Sequence, residues 1–122
     1  MFERLEVTRM ANALAAHAAA RQSVIASNVA HADTPGYRAR DVEDFNEMFR
    51  RMQAERAWGG EGLSSPAPRT LKPKPGAALS PNGNSVALET EMMNAAATKH
   101  QFDMAVSIYR SVNEIIRTSL GR

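Results

Sequence analysis

Residues 88–120 read LETEMMNAAATKHQFDMAVSIYRSVNEIIRTSL. Steps of four and three from Leu88 pass through Met92, Ala95, Lys99, Phe102, Val106, Tyr109, Asn113, Ile116 and Leu120. All but Lys99 and Asn113 are apolar or amphipathic, so the stretch predicts a long helix with a coiled-coil seam. Gly121 stands just past the last apolar position, where a helix stop belongs. A second apolar row, Ala105, Ile108, Val112 and Ile115, lies beside the first. One partner helix cannot cover both rows, which implies further neighbours.

Upstream of this helix, Pro81-Asn82-Gly83-Asn84 is turn chemistry, and Ser85 is the expected N-cap. Before it, residues 58–81 hold five of the six prolines, and half of their number are Gly, Pro or Ser. So little apolar surface cannot offset the entropy of ordering. The expectation is a flexible loop, with an extended piece around Arg69 to Lys72. A short helix precedes the loop, capped by Asp41 with Glu43 and Asp44 in its first turn. Phe45, Met48, Phe49 and Met52 form its apolar face.

The N-terminal region predicts a second long helix, from about Phe2 to Ala32. Apolar residues at Val7, Met10, Ala11, Leu14, Ala18, Ile25 and Val29 lie mostly three, four or seven apart. Its alanine run favours helix and lets another helix come close. The helix should end at His31-Ala32-Asp33-Thr34-Pro35-Gly36-Tyr37, because Pro35 disfavours helical geometry at Thr34. Pro35-Gly36 suits the centre of a type II turn. The expected fold is all-α: an antiparallel, coiled-coil-like hairpin of two long helices with a short middle helix and a loop. Its divisions are 1–57, 58–81 and 82–122, the two ends forming one core. In that core Leu14, Ile25 and Val29 are expected against Phe102, Val106, Tyr109 and Ile116.

Composition narrows the function. The chain has no cysteine, which removes disulfides and Cys-based metal sites. Its formal charge of +2 is small, with bases scattered along the chain, so no nucleic-acid partner is expected. No run reaches the roughly 18–20 apolar residues of a membrane span. The N-terminus lacks the basic-then-apolar pattern of a cleaved secretory signal. His17, His31 and His100 are not paired at i+3 or i+4, and all three read as surface residues. No nucleophile elbow, phosphate loop or metal motif occurs, so neither enzyme activity nor a cofactor is expected.

The segment Ser27-Asn28-Val29-Ala30-His31-Ala32-Asp33-Thr34-Pro35-Gly36-Tyr37 resembles the N-terminal signature of the flagellar rod and hook axial proteins. Arg40-Asp41-Val42-Glu43-Asp44-Phe45 is similar to the stretch that follows it in rod proteins, and Asn82 to Met92 to the opening of their C-terminal helix. His31 departs from the asparagine usual there. The resemblance implies a helically self-assembling subunit of the bacterial basal-body rod, one of two sibling proximal rod proteins, that transmits torque. It implies other rod proteins, the MS ring and its rod adaptor as partners. It also implies export by the flagellar type III apparatus without a cleaved signal, and a rod location crossing the periplasm. The motif residues it marks are Asn28, Thr34, Pro35, Gly36, Tyr37, Asn82, Gly83 and Asn84. The assembly residues are Leu14, Ile25, Val29, Leu88, Met92, Phe102, Val106, Tyr109, Ile116 and Leu120. A coiled-coil adaptor or chaperone with a single partner stays open as the alternative of another class.

Overall fold

The computed structural model describes residues 2–59, 68–72, 79 and 81–121. It contains α1 (Phe2–Ala30), β1 (Asp41–Val42), α2 (Phe45–Ala57), β2 (Thr70–Leu71) and α3 (Leu88–Ser119). At 1.5 Å per residue α1 and α3 are about 43 and 48 Å long. They run antiparallel: Arg4 reaches Ser119, and His17 reaches Gln101. The all-α hairpin expected from the sequence is therefore the architecture, with a two-residue antiparallel ribbon, Asp41 opposite Leu71 and Val42 opposite Thr70, added to it.

The hairpin closes through small residues. From α1 the buried positions include Ala11, Ala13, Ala18 and Ile25. From α3 they are Glu91, Thr98, Ala105 and Val112, spaced by seven. This corrects the expected seam by one residue. Leu88, Met92, Phe102, Tyr109, Ile116 and Leu120 are all exposed, as is Val29, while Val106 and Leu14 are half-buried. The reason is size. An alanine-lined interface brings two helices close, and Phe102 or Tyr109 at its centre would force them apart. Ala105 and Thr98 fit there, Thr98 because its hydroxyl donates to the Asn94 carbonyl at 2.6 Å.

Two caps also differ from expectation. α2 begins after Asp44, in extended geometry at φ −63°, ψ 146°. Asp41 instead accepts a bond from Val42 N at 2.8 Å and pairs with Arg21 at 3.3 Å. The ribbon explains the shift, since Glu43 N donates to Arg69 O at 2.8 Å and holds residues 41–43 extended. α3 begins after Ala87, and Ser85 Oγ accepts from Ala39 N at 2.7 Å rather than capping. α2 lays Met48 into the core, with Phe45 and Phe49 stacked beside it at 5.7 Å. The extended piece expected around Arg69 is β2. The flexibility expected of 58–81 falls largely on 60–67, 73–78 and 80, outside the described residues.

Candidate assembly site: a clasp joining the two ends and an open helix flank

The turn after α1 and the turn before α3 are folded onto each other. Pro35 and Gly36 make the expected turn: Tyr37 N donates to Thr34 O at 3.2 Å, and Gly36 has φ 76°. Gly83, at φ 82°, lies against it, and a Cβ on Gly83 would stand 3.5 Å from the Gly36 Cα. Both positions need the left-handed region that glycine enters freely. Main-chain bonds complete the contact, from Gly36 N to Asn82 O and from Ser85 N to Tyr37 O, both 3.0 Å.

Two buried asparagines lock this arrangement, each about 1% exposed. Asn84 Nδ2 donates to His31 O at 2.8 Å and to Thr34 O at 2.7 Å. Its Oδ1 accepts from Val86 N at 2.7 Å. One side chain from the turn before α3 thereby holds two carbonyls of the turn after α1, 53 and 50 residues away in the chain. Asn28 works inside the N-terminal half. Its Oδ1 accepts from the Tyr37 hydroxyl at 3.0 Å and from Arg40 N at 3.1 Å, and its Nδ2 donates to Arg40 O at 2.8 Å. Sequence marked both asparagines and all the turn residues; nothing in their spacing says that the two groups touch.

His31 is exposed. Its ring stacks on Tyr37 at 4.6 Å, and its Nδ1–H donates to Ser27 O at 2.8 Å. Asn84 grips the His31 carbonyl and not its side chain, so the clasp tolerates histidine there.

A second tie lies midway along the hairpin, through residues that sequence reasoning missed. His17 is buried, which corrects the expectation of a surface residue. Its Nε2–H donates to Glu43 O at 2.8 Å, and its Nδ1 lies 3.0 Å from the Gln101 amide nitrogen. One imidazole thus joins α1, α3 and the segment between β1 and α2. The buried Glu43 carboxylate takes bonds from Arg51 and from Arg69 N. Burial pushes that carboxyl up, but the Arg51 and Arg69 bonds and charges outweigh it and hold it below its ordinary value of 4.5. A lone histidine in an alanine-rich helix gives no sequence signal of such a role.

β1 and α2 pack on α1 at one side of the hairpin. The other side is an open valley between α1 and α3. Its α3 wall holds Ala95, Lys99, Phe102, Ile116 and Leu120 of the expected seam, and Met92 and Tyr109 stand exposed on the same helix. One part is a groove of about 700 Å³ between Ala18, Ala26, Ala95 and Phe102. Another, of about 300 Å³, is walled by Leu5, Ile116 and Leu120. Large apolar side chains left exposed along one helix are a common feature of interaction surfaces. Among the described residues no cluster of three or more His, Cys, Asp or Glu could hold a metal ion.

The family model for the flagella basal body rod protein matches residues 10–38. The flagellar basal body rod protein FlgB of Yersinia enterocolitica is 35% identical over 106 residues, covering 72% of this chain and 75% of the relative. The chain belongs to the flagellar basal body rod protein family. FlgB of Escherichia coli K12 is 32% identical over 105 residues, 73% of this chain and 74% of the relative. FlgB of Agrobacterium fabrum is 28% identical over 130 residues, covering 97% and 95%. Of the two siblings that the resemblance leaves open, these relatives are all FlgB. As a rod family member the chain is a structural component of the flagellar basal body. The family match ends one residue past Tyr37, so it spans the α1 half of the clasp.

Proposed function

We propose that the chain is a subunit of the proximal rod that builds a helical tube with copies of itself and with other rod proteins. In this reading it joins the MS ring, through its adaptor, to the distal rod and carries torque across the periplasm. The subunit leaves the cell through the flagellar type III export apparatus, and does no catalysis. Its two ends act as one core domain, and Thr70 and Leu71 are tied to it through the ribbon.

The observation that carries this reading is the stripe of large apolar residues left exposed along α3. The hairpin is already closed by small residues, so the stripe is surplus to the fold and available to neighbours. Head-to-tail contacts between such surfaces build open helical assemblies. No helix among the described residues is long and apolar enough to cross a membrane, so a lipid bilayer is not the partner that α1 or α3 would span.

The test is to place a charge on the stripe. Met92→Glu and Tyr109→Glu alter exposed side chains, so the chain should be made and exported normally. Basal bodies purified from such cells should lack it, and swimming should be lost. Normal motility with either variant overturns the reading.

A further inference from the structure

The α3 stripe has a property that assembly into a tube does not require: it is complementary to itself when reversed. Laid antiparallel about a two-fold axis at Val106, two copies bring Met92 to Leu120, Ala95 to Ile116, Phe102 to Tyr109, and Lys99 to Asn113. Small then faces large, aromatic faces aromatic, and the two polar positions face each other. A parallel pairing would instead oppose Lys99 to Lys99 and Ala95 to Ala95.

Charge and shape agree with the reversal. Asp103, which pairs loosely with Lys99 of its own helix at 3.6 Å, and Arg110 are both exposed on the helical row flanking the stripe. The same two-fold axis sets Asp103 of each copy near Arg110 of the other. The wide groove at Ala18, Ala26 and Ala95 lies toward one end of the valley, and the narrower one walled by Leu5, Ile116 and Leu120 at the other. Reversal lays the large residues of each copy over the wide groove of its mate.

We infer that the occupant of this valley, before incorporation, is the valley of a second copy, giving an antiparallel two-fold dimer that hides the stripe. The inference rests on the proposed assembly role of the same surface. A two-fold contact closes on itself and cannot grow into a tube, so the pair must open before a subunit joins the rod. The paired strip from Met92 to Leu120, about 42 Å long and one helix wide, buries roughly 900 Å² in total, just under the lower bound for specific interfaces. The pairing is therefore weak and reversible.

The chain's lack of cysteine makes the test direct. Sedimentation equilibrium of the full chain across the micromolar range should show a monomer–dimer equilibrium. Val106→Cys should cross-link to itself, and a mixture of Met92→Cys and Leu120→Cys should cross-link faster than either alone. Asp103→Arg should weaken the dimer about tenfold, and adding Arg110→Asp should restore it. A chain that stays monomeric, a Met92→Cys protein that pairs with itself as fast as the mixture, or an Asp103→Arg variant that dimerises normally would each overturn the pairing. Incorporation is read separately: a monomeric chain that still enters basal bodies sinks only the dimer. A dimeric chain that never enters them sinks only the assembly role.

Discussion

Asn84 and Asn28 are both buried, yet their chemistry differs. Asn84 gives two hydrogen bonds to carbonyls and accepts one, whereas Asn28 accepts two and gives one. Replacing each by aspartate keeps the shape and removes the donors. Asn84→Asp would press a carboxylate against two carbonyl oxygens inside the clasp, and should cost about 3–5 kcal/mol. Asn28→Asp keeps both donors to its oxygen and loses one bond, so its cost should be smaller by about 1 kcal/mol or more. Urea unfolding of the two variants measures the difference, and equal losses would show that the clasp is not organised as described. The sequence displayed these residues plainly, because Asn-Gly and Pro-Gly are turn formers. It could not display their pairing, since an asparagine that makes a turn and one that bridges two turns read alike. Ser85 is a parallel case: a serine just before a helix reads as an ordinary cap, and only the proximity of Ala39 turns its hydroxyl elsewhere.

At the scale of elements, the helices were legible and their facing rows were not. The heptad period of α3 is real, but apolarity alone chose the wrong row, since Glu91 and Thr98 look polar while Phe102 and Tyr109 look like core. What decides is how near two alanine-rich helices can lie. Enlarging the inward row should therefore be costly, and Ala105→Leu, at a position 1% exposed, should lose about 1–3 kcal/mol by overpacking. Thermal unfolding checks this; an unchanged midpoint would mean the interface is looser than the burial indicates. The ribbon and α2 are joined instead by a charge. Glu43 has its carboxyl held below the ordinary value by Arg51 and Arg69, so the folded state binds its proton less readily than the unfolded chain does. Its contribution is present in full above the unfolded carboxyl range and fades as pH falls through the lower folded value. Urea midpoints taken below about pH 4.5 should fall more steeply in the parent chain than in Glu43→Gln, which has no such proton to gain. Parallel profiles would place the acid sensitivity in other carboxylates.

For the whole molecule, the balance between buried and exposed apolar surface is the telling feature. Half of the described buried apolar residues are alanines, with Ile25, Val42, Met48 and Val112 the larger members, while most of the larger apolar side chains of α3 face outward. Alanine buries little area, and a small core gives a small margin over conformational entropy. The isolated chain should therefore sit at or below the low end of domain stability, about 5 kcal/mol. Because the missing burial lies on the α3 stripe, covering it should raise that margin. Hydrogen exchange offers a direct reading. In the dilute chain the amides of α1 and α3 should exchange with free energies close to the small global value, and the ends of both helices should exchange faster still. In assembled rods the same amides should be protected by several kcal/mol more, with the largest gain around Met92 and Tyr109, whose side chains are exposed in the single chain. Strong protection already present in the monomer would mean that the fold does not depend on its neighbours, and that the exposed stripe has some purpose other than completing a shared core.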